Sequence, residues 1–293
     1  MFGDCHIHMV LDGVYYKDAI AAHRGHVRDD LIRECLSSYA QAGIEFLRDG
    51  GDAFGVCQRA KELAPEYGID YRMPCFPICM KGRYGEFIGR GFETLTEYRS
   101  MVAEVAREGG DFIKIMISGL MDFDHFGLVT SEPLLPSMIR EMIDIAHGEG
   151  FAVMAHANGA RTVQTAVEAG VDSVEHGAYM DEEAVRVLAE SGAVWVPTLV
   201  TVGNLVGDGR YPDTVLNRIL EVQLRNVAFC ARLGGRIALG SDAGAYRVFH
   251  STGASCELEL LRKVLGSRTD DILSAGQAQI RRVFTRESAV GHS

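Results

Sequence analysis

Five side chains able to hold a divalent ion each stand at the end of an apolar run. They are His6 and His8 in Asp4-Cys5-His6-Ile7-His8, His156 in Ala155-His156-Ala157, His176 in Glu175-His176-Gly177, and Asp242 in Gly240-Ser241-Asp242-Ala243-Gly244. Imidazole nitrogens and a carboxylate oxygen suit zinc best, and also manganese, iron or cobalt. His6 and His8 are two apart, so on a strand both point to one side. If that side is the interior of a barrel, two imidazoles converge on one ion. A carboxylate buried beside them without a cation would carry a large desolvation cost.

Lys114 interrupts the run Phe112-Ile113-Lys114-Ile115-Met116-Ile117. An ammonium pointing inward from a central strand is expensive. It has three escapes: a buried salt bridge, a depressed pKa, or covalent modification. A neutral, desolvated amine can add carbon dioxide to give a carbamate, an anionic oxygen donor able to bridge two ions. Beside four histidines and an aspartate, the carbamate is the favoured reading.

These residues need elements to position them. Short apolar, β-branched or aromatic runs predict eight strands, at 2–9, 44–49, 70–76, 111–117, 151–156, 172–176, 193–198 and 236–241. Helix-like stretches alternate with them at 30–42, 55–65, 95–109, 135–149, 160–168, 181–191, 212–234 and 255–265, with one more near 271–284. Thr94 or Thr96 and Asp181 supply helix starts, and Gly43, Gly68, Gly150, Gly170 and Gly192 end helices before the next strand. The pattern predicts an α/β fold, a closed (β/α)8 TIM barrel, with residues 1–293 forming one domain. A doubly wound open sheet is the alternative, but no Gly-rich phosphate turn follows the first strand. In a closed barrel the eighth strand lies beside the first, which brings Asp242 to His6 and His8. The irregular stretches 10–29, 77–94, 118–134, 199–212 and 243–254 all follow strands and should shape a pocket.

Composition sets outer bounds. A net charge of −11 and a pI of about 5.4 argue against nucleic acid and anionic membrane as partners. No apolar run approaches the roughly 20 residues of a membrane span. The start lacks a basic segment followed by an apolar block, so no signal peptide is read and the cytoplasm is the expected location. The seven scattered cysteines read as reduced thiols, and Cys75 with Cys79 does not match a structural zinc pair.

As an ordered set, His6-x-His8, Lys114, His156, His176 and Asp242 resemble the amidohydrolase superfamily, in its branch with a carboxylated-lysine dinuclear site. The wording FIKIMISG, MAHANG, VEHG and GSDAG most resembles the imidazolonepropionase-like and Xaa-Pro dipeptidase-like metal-dependent hydrolases. The resemblance implies that His6, His8 and Asp242 hold one ion and that His156 and His176 hold the other. Carboxylated Lys114 and a hydroxide would bridge the pair, and Asp242, Lys114 and His176 would be the catalytic set. It implies hydrolysis of an amide or peptide-like C–N bond in a small molecule, with Asp242 as general base and then general acid. Lactone or ester hydrolysis at the same centre is an alternative, and so is a catalytically silent metal-binding barrel. Two departures stand out. The chain starts at strand one and ends after the last helix, so the family's usual β-sandwich is expected to be missing from a minimal barrel. The surface left open would invite assembly into a homo-oligomer. Ser118-Gly119-Leu120 also stands where relatives often carry Ser/Thr-Gly-Gly.

Substrate-facing candidates come from the loops: Tyr179, Asn158, Arg161, Arg83, Tyr84, His125, Arg247 and His250. Arg161, Arg247 or Arg83 could fork onto a substrate carboxylate. His23 and His26 could line an entrance, His147 reads as a surface residue, and His292 lies in the tail.

Overall fold

A computed structural model describes residues 2–286. Its strands are β1 (Asp4–Ile7), β2 (Phe46–Asp49), β3 (Asp70–Arg72), β4 (Ile78–Met80), β5 (Arg90–Phe92), β6 (Ile113–Met116), β7 (Val153–Ala157), β8 (Ser173–His176), β9 (Val194–Val196) and β10 (Arg236–Ile237). The helices are α1 (Tyr16–Ala22), α2 (Asp29–Gln41), α3 (Val56–Leu63), α4 (Leu95–Arg107), α5 (Pro136–Gly148), α6 (Ala160–Glu168), α7 (Glu182–Glu190), α8 (Val200–Gly203), α9 (Asp213–Arg232), α10 (Thr252–Leu265) and α11 (Thr269–Val283). His292 lies outside the described residues.

The sheet is parallel. One run is β1-β2-β3; the other is β10-β9-β8-β7-β6-β4-β5. Backbone hydrogen bonds join the two runs at both seams. Cys5 N–H donates to Leu239 O at 2.9 Å, and Asp242 N–H donates to His6 O at 2.7 Å, so the last strand meets the first. Asp111 N–H donates to Met73 O at 2.8 Å, so the third meets the fourth. The expected eight barrel strands are therefore β1, β2, β3, β6, β7, β8, β9 and β10, arranged as a (β/α)8 barrel.

Three stretches read as irregular hold short elements. Residues 10–29 contain α1, and 199–212 contain α8. Residues 77–94 contain β4 and β5, because Ile78 and Cys79 pair alongside Ile115 and Met116. The helix starts are as chemistry asks. Thr94 Oγ1 accepts from Glu97 N–H while Glu97 reaches back, and Asp181 accepts from Ala184 N–H.

The core has three parts. The largest lies between helices and sheet. A second joins Met121, Ala178, Val202, Leu205, Leu216 and Ile219. The third plugs the barrel interior with Phe46, Phe112, Met154, Val194 and Val196, and Ile280 and Phe284 of the α11 end cover it. Residues at the opposite, C-terminal strand ends stand above this apolar plug, where barrels place their sites. Among the described residues no helix is long and apolar enough to cross a membrane.

Candidate metal centre

β1 and the segment after β10 build the tightest cluster. His6 Nε2 lies 3.5 Å and His8 Nε2 lies 3.4 Å from Asp242 Oδ1. Ligand atoms about 2.1 Å from a tetrahedral ion stand roughly 3.4 Å apart, so both imidazole nitrogens already hold that spacing from the carboxylate oxygen. Among the described residues these three form the one His/Cys/Asp/Glu group whose ligand atoms all fall within 4.8 Å of each other. Local chemistry explains the position. Asp4 accepts from Ser241 N–H at 2.8 Å and from Ser241 Oγ–H at 2.5 Å, tying strand one to the turn that carries Asp242. A Cβ on Gly50 would stand 2.3 Å from His8 Cε1, so glycine makes room for that ring. Asp242 has φ +61°, a left-handed backbone that swings its carboxylate inward.

Behind His6 stands a network that the sequence reading did not single out. Glu175 Oε2 is 2.8 Å from His6 Nδ1. Glu175 Oε1 accepts from Arg48 Nη2 at 2.8 Å and from Ser173 Oγ–H at 2.5 Å. Arg48 Nε donates to Cys5 O at 2.7 Å, and its guanidinium packs 4.5 Å from the Phe284 ring centroid. Arg48 and Glu175 are both 0% exposed. A signal was available, since each is a charge inside a short buried strand, as Lys114 is.

β7 and β8 supply the other half. The ring centroids of His156 and His176 are 4.6 Å apart, and those of His176 and His6 are 5.1 Å apart. Strand alternation should send Glu175 and His176 to opposite faces. The left-handed backbone at His176 (φ +66°) brings both inward. His176 Nδ1 meets Thr198 Oγ1 at 2.7 Å. His156 Nε2 lies 3.0 Å from Gly119 O, an acceptor, so that nitrogen carries the hydrogen and Nδ1 keeps the lone pair. Asn158 Nδ2 donates to the same carbonyl at 3.0 Å.

Lys114, 1% exposed, faces the same cavity, and its Nζ has no hydrogen-bond partner. Burial lowers its pKa to about 8, against the opposing pull of Glu175. Burial raises Asp242 to about 7 and lowers His8 and His156 to about 3. His6 and His176 are pushed well below 6.5, again chiefly by burial. All four imidazoles are therefore neutral donors at neutral pH. An orphaned buried amine, neutral imidazoles and a carboxylate at ligand spacing fit a divalent-ion centre.

The cavity above is about 410 Å³. Tyr84 and Asn158 line it, with Tyr15, Tyr16, Phe87, Phe123 and Tyr246 forming aromatic walls. The other loop candidates do not reach it. Arg247 is held by Asp208, and His250 is fixed between Tyr39 Oη at 3.1 Å and Leu11 O at 2.8 Å. Arg83 is exposed and donates to Glu132 O, Arg161 is exposed on α6, and His125, 70% exposed, leans on Asp122. Tyr179 packs on Phe126, with its hydroxyl toward Asp122 O. His23 accepts from Arg28 N–H, and neither it nor His26 lines the cavity. His147, on α5, pairs with Asp172 at 2.9 Å. The arginine that does line the cavity is Arg210, stacked 4.4 Å from the Tyr246 ring centroid. It sits in a Gly-Arg-Tyr-Pro loop with no periodic signal.

Comparison with known proteins agrees with this architecture. A family model described as "Amidohydrolase family" matches residues 4–274. An uncharacterized protein of Mycobacterium tuberculosis is 29% identical over 252 residues, covering 82% of this chain and 62% of that protein. Ochratoxinase of Aspergillus niger is 25% identical over 288 residues, covering 82% of this chain and 56% of the enzyme. The chain thus spans less than two thirds of the curated relatives it matches. A solved Xaa-Pro dipeptidase with methionine bound in its active site superposes with a TM-score of 0.77 at 20% identity, over 97% of this chain and 75% of that one. A prolidase complexed with N-methylphosphonate-L-proline gives 0.73 at 23% identity, over 99% and 76%. Both structural likenesses are likenesses of fold.

Proposed function

This chain belongs to the amidohydrolase family, and on that premise we propose that it is a metal-dependent hydrolase of an amide or peptide-like C–N bond in a small molecule. The observation that carries the reading is the 3.4–3.5 Å approach of two imidazole nitrogens to one Asp242 oxygen, beside an unpartnered buried lysine. His6, His8 and Asp242 would hold one ion, and His156 and His176 a second, with zinc the first choice and manganese, iron or cobalt the others. Lys114 would bridge the two as a carbamate. Its neutral amine nitrogen attacks the carbon of CO₂, and the displaced N–H proton leaves to solvent. When bound, the ions would lower the pKa of a water between them and polarise the scissile carbonyl.

The chain's own groups then do the rest. Asp242 would take the proton of the attacking water and pass it to the departing amine, since its carboxylate lines the cavity beside the two imidazoles. Asn158 holds the Gly119 carbonyl that fixes His156. Tyr84 and Arg210 face the space a substrate would fill. The aromatic walls exclude water and favour an apolar substrate body.

The test measures metal content of the purified protein and turnover on a matched panel of amides and esters. Asp242→Asn should lower amide hydrolysis by about 10²–10⁴-fold and lower hydrolysis of an activated ester much less, because that leaving group needs no proton. Equal losses would show that Asp242 acts through the ion and not on the leaving group, and wild-type turnover of esters or lactones with none of amides would favour ester or lactone hydrolysis as the native reaction. No bound ion after expression in metal-rich medium would sink both enzyme readings, whereas bound ion without turnover on the panel would leave a catalytically silent metal-binding barrel.

A further inference from the structure

We propose that Glu175 is a positioning residue that fixes which nitrogen His6 offers, and that Arg48 and Ser173 hold Glu175 in place for that task. The inference rests on His6 being a metal ligand, as proposed above, and adds why that ligand is ready before any ion arrives.

A carboxylate accepts hydrogen bonds and cannot donate them. Glu175 Oε2 lies 2.8 Å from His6 Nδ1, and both side chains are buried away from water. The only hydrogen able to fill that contact is the one on Nδ1. Nε2 is then left with its lone pair, and it is Nε2 that lies 3.5 Å from Asp242 Oδ1. Without this partner the imidazole could place its hydrogen on Nε2, toward Asp242, and close the lone pair to an ion.

The clamp has no slack. Glu175 Oε1 takes hydrogens from Arg48 Nη2 at 2.8 Å and Ser173 Oγ at 2.5 Å, and Arg48 Nη1 donates to that serine oxygen at 2.8 Å. Arg48 Nε donates to Cys5 O, the carbonyl immediately before His6. The clamp therefore spans β1, β2 and β8 and grips both the backbone and the ring of one residue. Carboxylate partners of this kind orient a ligating histidine, and their loss typically weakens metal binding 10–100-fold.

The test starts with metal-free, full-length wild type labelled with ¹⁵N-histidine. Long-range ¹H–¹⁵N spectra should show His6 with Nδ1 protonated and Nε2 bare. That spectrum tests the tautomer itself, and finding the hydrogen on Nε2 would overturn the proposal. Glu175→Gln adds a second readout. Its amide can donate as well as accept, so the single tautomer should be lost, and Co²⁺ affinity measured by chelator competition should fall about 10–100-fold. A folded Glu175→Gln protein that binds Co²⁺ as tightly as wild type would also overturn it. If the variant does not fold, the wild-type spectrum decides alone. Failure of the metal-ligand reading shows up separately, as wild-type protein that takes no Co²⁺ at all.

Discussion

The inner wall of the cavity and its rim are built by different rules. At the wall, Arg48, Glu175, Asp4 and Lys114 are buried charges on strands or at strand ends. Except for the Lys114 amine, each has its hydrogen bonds within the barrel. At the rim, charged side chains are exposed and pair with whatever loop neighbour is near, as Arg247 does with Asp208. The wall fixes geometry through strand register, whereas the rim fixes little. Chemistry should therefore fail sharply when the wall is altered and shift only slightly when the rim is.

Lys114→Ala is the severest challenge to that contrast. It should abolish bound metal and turnover together, as read by metal analysis of the folded protein. A variant that keeps two ions per chain would break the bridging role. Arg48→Met comes next. It strands the Glu175 carboxylate without its cation, which typically costs about 3–5 kcal/mol for a buried pair. Chemical denaturation checks it, and a loss below 1 kcal/mol would show that the wall tolerates unpaired charge.

The third prediction concerns pH. The Lys114 amine is lowered to about 8, and only the neutral amine adds CO₂. Reconstitution of metal-depleted protein at fixed dissolved CO₂ should rise about tenfold per pH unit below 8 and level off above it. Bicarbonate plus ion should also outperform ion alone, and a flat profile would separate Lys114 from the bridge. The smallest effect belongs to the rim. Arg210→Ala should raise KM a few-fold with little change in kcat, while Arg161→Ala should change neither. A large kcat loss in either would mean that the rim takes part in the chemistry.

The same contrast explains what the sequence made legible. Strand ends in a parallel barrel are forced to one face, so His6, His8, Lys114, His156, His176 and Asp242 could be placed together from runs of apolar residues alone. Glu175 and Arg48 were equally exposed to that logic. Glu175 is overshadowed by its neighbour His176, and Arg48 stands in the run 44–49, which reads as a strand alone. The loop arginines were illegible for a physical reason. Nothing in residues 77–94 or 243–254 dictates which way an exposed guanidinium turns, and Asp208 and Glu132 decided it locally. Arg210 was missed for the same cause.

The left-handed backbones at His176 and Asp242 carry a further implication for anyone redesigning this barrel. Non-glycine residues held there typically sacrifice about 1–3 kcal/mol each. Glycine or asparagine at either position should yield a tougher but inert scaffold. Screens that reward heat resistance alone would drift toward such variants, so selection here needs an activity filter at every round.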